Sequence, residues 1–211
     1  MPSTPTLLAF AAAATALVLL PGPNLIFIVS RGIAQGRRAA LASTLGVTTA
    51  TSVFVVLTAF GLTALISSSV IAFSVVKYAG VAYLLHLAVR EFRSRGRFRL
   101  EQPPPVSSGR AYLDAFLVGI TNPKVALFFL AFFPQFVHPA SGPVVPQVLV
   151  LGAVFVTIGV TSDSMYALAA GSIGRWLARR PQAMHRSRYL SGAVYLALGG
   201  AAVLAGSPQR A

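Results

Sequence analysis

Long apolar stretches alternate with short polar ones along the whole chain. Six apolar segments reach, or nearly reach, the roughly 20 residues that a spanning helix needs. They are Thr6–Val29, Ala39–Ile66, Val70–Val89, Tyr112–Val137, Val148–Ile173 and Tyr189–Ala205. The second is long enough to tilt within a bilayer, and the last is short. The pattern predicts an all-α integral membrane protein with six transmembrane helices. Residues 93–109, RSRGRFRLEQPPPVSSG, form the one real linker, because arginines, three consecutive prolines and Ser-Ser-Gly cannot build a buried element.

Two of the six segments carry a break in the same place. Residues 20–28, LPGPNLIFI, can be laid against residues 120–128, ITNPKVALF. Pro23 then falls on Pro123, Gly22 on Asn122 and Asn24 on Lys124. A second echo, GVAYLLHL at 80–87 against GAVYLALG at 192–199, matches Gly80 with Gly192, Tyr83 with Tyr195 and Leu84 with Leu196. The chain therefore reads as a first three-helix repeat over 1–92, the linker over 93–109 and a second three-helix repeat over 110–211. An odd number of spans per repeat makes the second copy enter the membrane from the other side. The repeats are then inverted, with helices 1 and 4 broken. Matched Gly/Pro interruptions in two halves point to a transport site, since unwound backbone in hydrocarbon persists only where protein or a water-lined cavity satisfies it.

Composition agrees with a membrane protein. The chain is 55% hydrophobic and 10% charged, against about 25% charged in a soluble domain, so it has too little polar surface for a water-facing globule. Lys and Arg total 17 against 4 acidic residues. That excess suits nucleic acid only as a basic patch on a folded surface. Here it clusters between apolar runs, so no nucleic-acid partner is expected and the lipid bilayer is. Arg31, Arg37 and Arg38 mark the first loop, Arg90 to Arg110 the third, and Arg175, Arg179, Arg180, Arg186 and Arg188 the fifth. The second loop, around Ser67–Ser69, and the fourth, His138–Pro146, have no Lys or Arg. Odd-numbered loops are thus expected in the cytoplasm and both termini outside. A re-entrant first segment would instead put the N-terminus inside and leave five spans. MPSTPTLLAF lacks the basic start of a signal peptide, and the first segment is expected to be retained.

Few polar groups lie within the apolar segments. Asp163, in TSDSMY, and Lys124, mid-segment, are the charged ones far from both ends. Intramembrane ionisable residues are functional candidates by default. Lys124 and half-helix starts after Pro23 and Pro123 would attract a carboxylate. Asp163 would attract an ammonium group or carry a proton. The alternative is that Lys124 and Asp163 neutralise each other as a structural pair. Pro21, Gly22, Pro23, Asn24, Thr121, Asn122, Pro123, Lys124 and Asp163 form the candidate substrate site, with Asp163 as the proton-coupling residue. Lys77 is expected to snorkel, Tyr83 and Tyr195 to pack, His86 to be a core histidine, and Glu91, Glu101 and Asp114 to lie at the interface. No cofactor or metal is expected: four acids, three histidines and no cysteine offer no metal-ligand spacing. No phosphate-binding loop or nucleophile motif occurs, so no enzyme is expected and an ion gradient is the remaining common drive. Gly199 and Gly200 allow close helix contact within or between chains, which leaves a homo-oligomer open.

PGPN at 21–24, SRGIAQGRRAAL at 30–41, KYAGVAYLLHL at 77–87 and NPKVALFFLAFFPQF at 122–136 resemble the LysE/RhtB amino-acid exporter family, over nearly the whole chain. The resemblance implies a bacterial inner-membrane protein of three plus three helices that exports amino acids or close derivatives against proton entry. The family's Pro-Gly-Pro element falls on Pro21, Gly22 and Pro23, its Asn-Pro-Lys element on Asn122, Pro123 and Lys124, and its fifth-helix acid on Asp163. Ala88 departs from it, standing where members often have glycine. With Asp163 the one clear intramembrane acid, a neutral substrate such as threonine, homoserine or leucine is expected, exported by rocking of one repeat against the other. The alternatives are export of a basic amino acid or another small metabolite, and a non-transporting membrane scaffold.

Overall fold

The computed structural model describes residues 1–68, 70–93, 104–179 and 181–204. Among them are eight α-helices and no strand: α1 (Thr4–Leu19), α2 (Pro23–Gln35), α3 (Arg37–Ser68), α4 (Val70–Arg93), α5 (Ser108–Ile120), α6 (Pro123–Leu127), α7 (Val144–Arg179) and α8 (Pro181–Leu204). α6 continues as a π-helical turn, Phe128–Phe132, and a 3-10 turn, Phe133–Phe136. α3 and α7 are each long and apolar enough to cross a membrane. The bent pairs α1–α2 and α5–α6 bring the number to four if each pair is one span. α4 and α8 stand at the expected third and sixth segments, with shorter apolar stretches at Val81–Arg90 and Tyr189–Gly200. Leu8, Leu57, Phe60, Leu117, Leu130 and Met165 are among the large apolar side chains that face outward. In water such a surface would be a liability; facing lipid it is the expected one.

Both expected breaks are present, and proline chemistry makes them. Pro21 and Pro23 donate no amide to α1, and the residue before a proline is pushed out of the helical region. Leu20 is accordingly extended (φ −67°, ψ 128°), as is Gly22 (φ −145°, ψ −178°). Pro23 then opens α2 at the first helical position, where no donor is required. The axis turns by 51° between α1 and α2. In the fourth segment Asn122 is extended before Pro123 (φ −72°, ψ 108°) and caps α6, and the turn is 45°. Pro134 explains the widened stretch that follows: it lacks an N–H and crowds the carbonyl four residues back. The Phe133 amide bonds instead to Phe128 O, five residues back.

Segments 1 and 4 run antiparallel, as contacts at their ends show. The Met1 amino group donates to Ser141 O at 2.9 Å. At the other end Gln35 Nε2 donates to Pro104 O (3.3 Å) and Gln35 Oε1 accepts from Val106 N (2.8 Å). α1–α2 thus runs from one end of the bundle to the other. The main helix contacts cross between the halves: α3 packs along α5 and α7, α4 along α8, and α2 along α7. Small residues let these helices approach. A Cβ at Gly46 would lie 2.2 Å from Tyr112 O on α5, and one at Gly152 would lie 2.3 Å from Val55 Cγ1 on α3. The main core holds Phe10, Phe128, Phe129, Phe132, Phe133 and Phe155, with Phe10 edge-on to Phe133 at 5.1 Å between centroids.

Several expectations need correction. Arg31 is not in a loop. α2 continues to Gln35, leaving only Gly36 (φ 83°) before α3, and the Arg31 side chain is 5% exposed. It donates to Asp114 Oδ2 at 2.9 Å and Pro104 O at 3.0 Å. Asp114 also accepts from Arg110 at 2.8 Å, so this acid is a partner for two arginines. The fifth loop is likewise mostly helix, since α7 reaches Arg179 and α8 starts at Pro181. Helices outlast the apolar stretch that crosses lipid, so hydropathy marks a segment's apolar part and not its helix ends. The linker's described end is held by α2, and α5 already starts within it at Ser108. Residues 94–103, with Arg95, Arg97, Arg99 and Glu101, lie outside the described residues, as do the side chains of Lys77 and Glu91. His86 is exposed, 5.6 Å from the Tyr83 ring, and is not a core histidine. Tyr195 packs in the core while Tyr83 is 38% exposed, so the second echo does not give equivalent burial. Ala88 is fully buried.

Candidate functional site

The two breaks meet in the middle of the bundle. Asn122 Nδ2 donates to Asn24 Oδ1 at 2.8 Å, which joins one break to the other. Asn122 Oδ1 accepts from Lys124 N at 3.0 Å and so caps α6. Lys124 Nζ reaches across to Leu20 O at 2.8 Å, a carbonyl that the Pro-Gly-Pro interruption takes out of α1. Each break thus supplies polar groups to the other. That is how unwound backbone survives far from water. Gly22 belongs to the same arrangement: a Cβ there would sit 3.4 Å from Lys124 Nζ. Gly22 supplies no side-chain acceptor to the first-turn amides of α2, and this helix start lies at the junction.

A cavity of about 40 Å³ lies at this junction. Gly22, Asn24, Asn122, Lys124 and Asp163 all line it. α7 brings in Asp163, which is 8% exposed, as is Lys124. One cavity therefore holds a cation, an anion and two carboxamides from three segments far apart in sequence. The rest of the wall is mostly apolar, with Leu25, Val47, Val125 and Phe155 among its residues. Such a lining can hold a small zwitterion by its two charges and leave its side chain against hydrocarbon. At 10–15 Å³ per water, the space takes roughly three or four waters. An amino acid needs more space than this.

The remaining expected site residues stand behind it. Pro21, Pro23 and Pro123 shape the breaks without lining the cavity. Thr121 is exposed and its hydroxyl donates to Leu117 O at 2.7 Å, so it is not part of the wall. Besides the apolar wall, sequence reasoning missed Thr51 on α3 and Gly159 on α7, which also line it. Thr51 sits in a run of hydroxyls, TTATS at 48–52, inside an apolar segment, and that was a readable signal. Gly159 lies four residues before Asp163, one helical turn away on the same face.

The sequence profile of the LysE type translocator family matches residues 15–206. A homoserine/homoserine lactone efflux protein of Salmonella typhimurium is 34% identical over 192 residues, 90% of this chain and 92% of that protein. An uncharacterized membrane protein of Vibrio cholerae is 33% identical over 193 residues, 91% of this chain and 93% of that one. A leucine efflux protein of Salmonella choleraesuis is 31% identical over 125 residues, 57% and 58% of the two chains. No solved structure matches. Matched by that profile across both breaks and Asp163, the chain belongs to the LysE type translocator family.

Proposed function

We propose that the protein is a secondary exporter of neutral amino acids, driven by proton antiport and working by alternating access. The observation that carries this reading is the shared cavity, where Lys124, Asp163 and the start of α2 offer opposite charges to one small molecule. The substrate carboxylate takes Lys124 and the uncapped amides of α2, in place of Leu20 O. Its ammonium group takes Asp163. Its side chain rests on the apolar wall. Asp163 is the one acid lining the cavity, which leaves no partner for a second cation on the substrate and favours a neutral one. The efflux proteins named for homoserine and leucine are relatives of this chain, and both amino acids are neutral. Asp163 carries the proton inward when the substrate has left.

The architecture we propose is six spans in two inverted three-helix repeats, 1–92 and 110–211, joined by a cytoplasmic linker at 93–109. The antiparallel course of segments 1 and 4 supports it. So do some of the contacts, because exchanging the halves turns the contact of α3 with α5 into that of α7 with α1, and maps those of α3 with α7 and α4 with α8 onto themselves. Odd-numbered loops are then cytoplasmic, in the inner membrane of a bacterium. Contacts that cross so extensively between halves favour movement about the two breaks over rocking of whole repeats.

The test is efflux from cells loaded with dipeptides of threonine, homoserine, leucine and lysine. Expression of this chain is expected to speed the appearance of a free neutral amino acid outside. A protonophore, and separately the Asp163→Asn substitution at equal membrane abundance, are each expected to abolish the gain. Faster lysine efflux would overturn the neutral assignment. No faster efflux of any cargo, with the protein in the membrane, would favour a scaffold.

A further inference from the structure

Glycines at the close helix contacts of this bundle have a visible reason to be glycine; Gly159, unlike them, lines the cavity without such a contact. At Gly32, Gly46, Gly119 and Gly152 an added Cβ would come within 3.0 Å of a neighbouring helix. At Gly159 it would meet nothing within 4 Å. A mid-helix glycine costs roughly 1 kcal/mol relative to alanine, and here no close packing offsets it. What a Gly159 side chain would enter is the cavity, since Gly159 is part of its lining. Phe155 lies one turn to one side of it and Asp163 one turn to the other, and both line the cavity too. The three make a stripe on α7: an aromatic ring, a gap, a carboxylate. Phe155 cannot retreat, because it is buried against Phe128 at 4.9 Å and Phe129 at 5.2 Å between ring centroids.

We propose that Gly159 sets the upper size of the substrate side chain, its missing Cβ being the compartment that the side chain occupies. This rests on the efflux reading above. With the ammonium group on Asp163, the substrate side chain extends along α7 over Gly159 towards Phe155. The distance from Asp163 to Phe155 along the axis is about 12 Å at 1.5 Å per residue. Gly159 is at its midpoint. A methyl or isopropyl group there shortens the compartment and leaves both charged anchors untouched.

The experiment compares the unaltered chain with Gly159→Ala and Gly159→Val in cells loaded with dipeptides of alanine, threonine, homoserine and leucine, at matched membrane abundance. The ratio of the largest to the smallest exported amino acid is expected to fall with each step, by about tenfold or more for valine. A uniform fall for every cargo, or no fall, would overturn the assignment and leave the efflux reading intact. No efflux by the unaltered chain would overturn both. A second readout uses the absence of cysteine from the sequence. Gly159→Cys provides a single thiol, and alkylation of that thiol by N-ethylmaleimide is expected to slow several-fold when the exported amino acid saturates the site. An unchanged rate would also overturn the assignment.

Discussion

Arg31 and Lys124 are both buried cations, yet they do different work. Lys124 bonds to Leu20 O, a carbonyl that in the proposed mechanism gives way to the substrate carboxylate. Arg31 is fixed by Asp114 and Pro104 O, and its guanidinium also stands 5.2 Å from the centroid of the Phe27 ring. Removing one partner of a buried pair typically costs about 3–5 kcal/mol, because the other charge is left without compensation. Asp114→Asn is therefore expected to lower the thermal unfolding midpoint of the detergent-purified protein. The midpoint should fall further than for Asp163→Asn, since Asp163 lines a cavity that water can enter. The roles of these two cations were only half legible in the sequence. Lys124 declared itself by lying mid-segment. Arg31 looked like a loop charge because its partner lies 83 positions away, and no local pattern records a contact of that span.

At the scale of elements, the breaks were legible because proline acts locally. Pro21, Pro23 and Pro123 forbid the same backbone conformation in any context, so the interruption could be read before any packing was known. The π turn at Phe128–Phe132 was harder, since Pro134 alone could equally have kinked or ended the helix. Helix ends were harder still, for α2, α7 and α8 continue beyond their apolar stretches. The break in segment 1 can be tested directly. Pro23→Ala returns an amide donor at position 23 and frees Gly22 from its extended conformation. Straightening there would carry Leu20 O away from Lys124. The expected outcome is at least a tenfold loss of efflux with membrane abundance unchanged. A parallel loss of abundance and efflux would mean that the break serves folding alone.

Across the whole molecule, the halves depend on each other. The long contacts of α3 are with α5 and α7, and those of α4 are with α8, while α3 and α4 touch far less along their lengths. Gly46 and Gly152 fit helices from the opposite half. Residues 1–92 made alone are expected to be cleared by membrane proteases. Residues 104–211 co-expressed as a second chain are expected to restore both halves to the membrane, measured by immunoblot of each fragment. Stable accumulation of the first half on its own would contradict this dependence.

The crossed packing also has a consequence in time. A ribosome delivers α1 to α4 to the insertion machinery before any of α5 to α8 exists. The small-residue faces of α3 then have no partner, and Asn24 and the Leu20 carbonyl await Asn122 and Lys124, about a hundred codons downstream. Until then the first half is expected to hold its polar break unfilled by the partners it has in the finished fold. The Asn-Pro-Lys segment brings those partners, Asn122 for Asn24 and Lys124 for the Leu20 carbonyl. Slowing translation between the two breaks would lengthen the life of that unfilled state and leave the finished transporter unchanged.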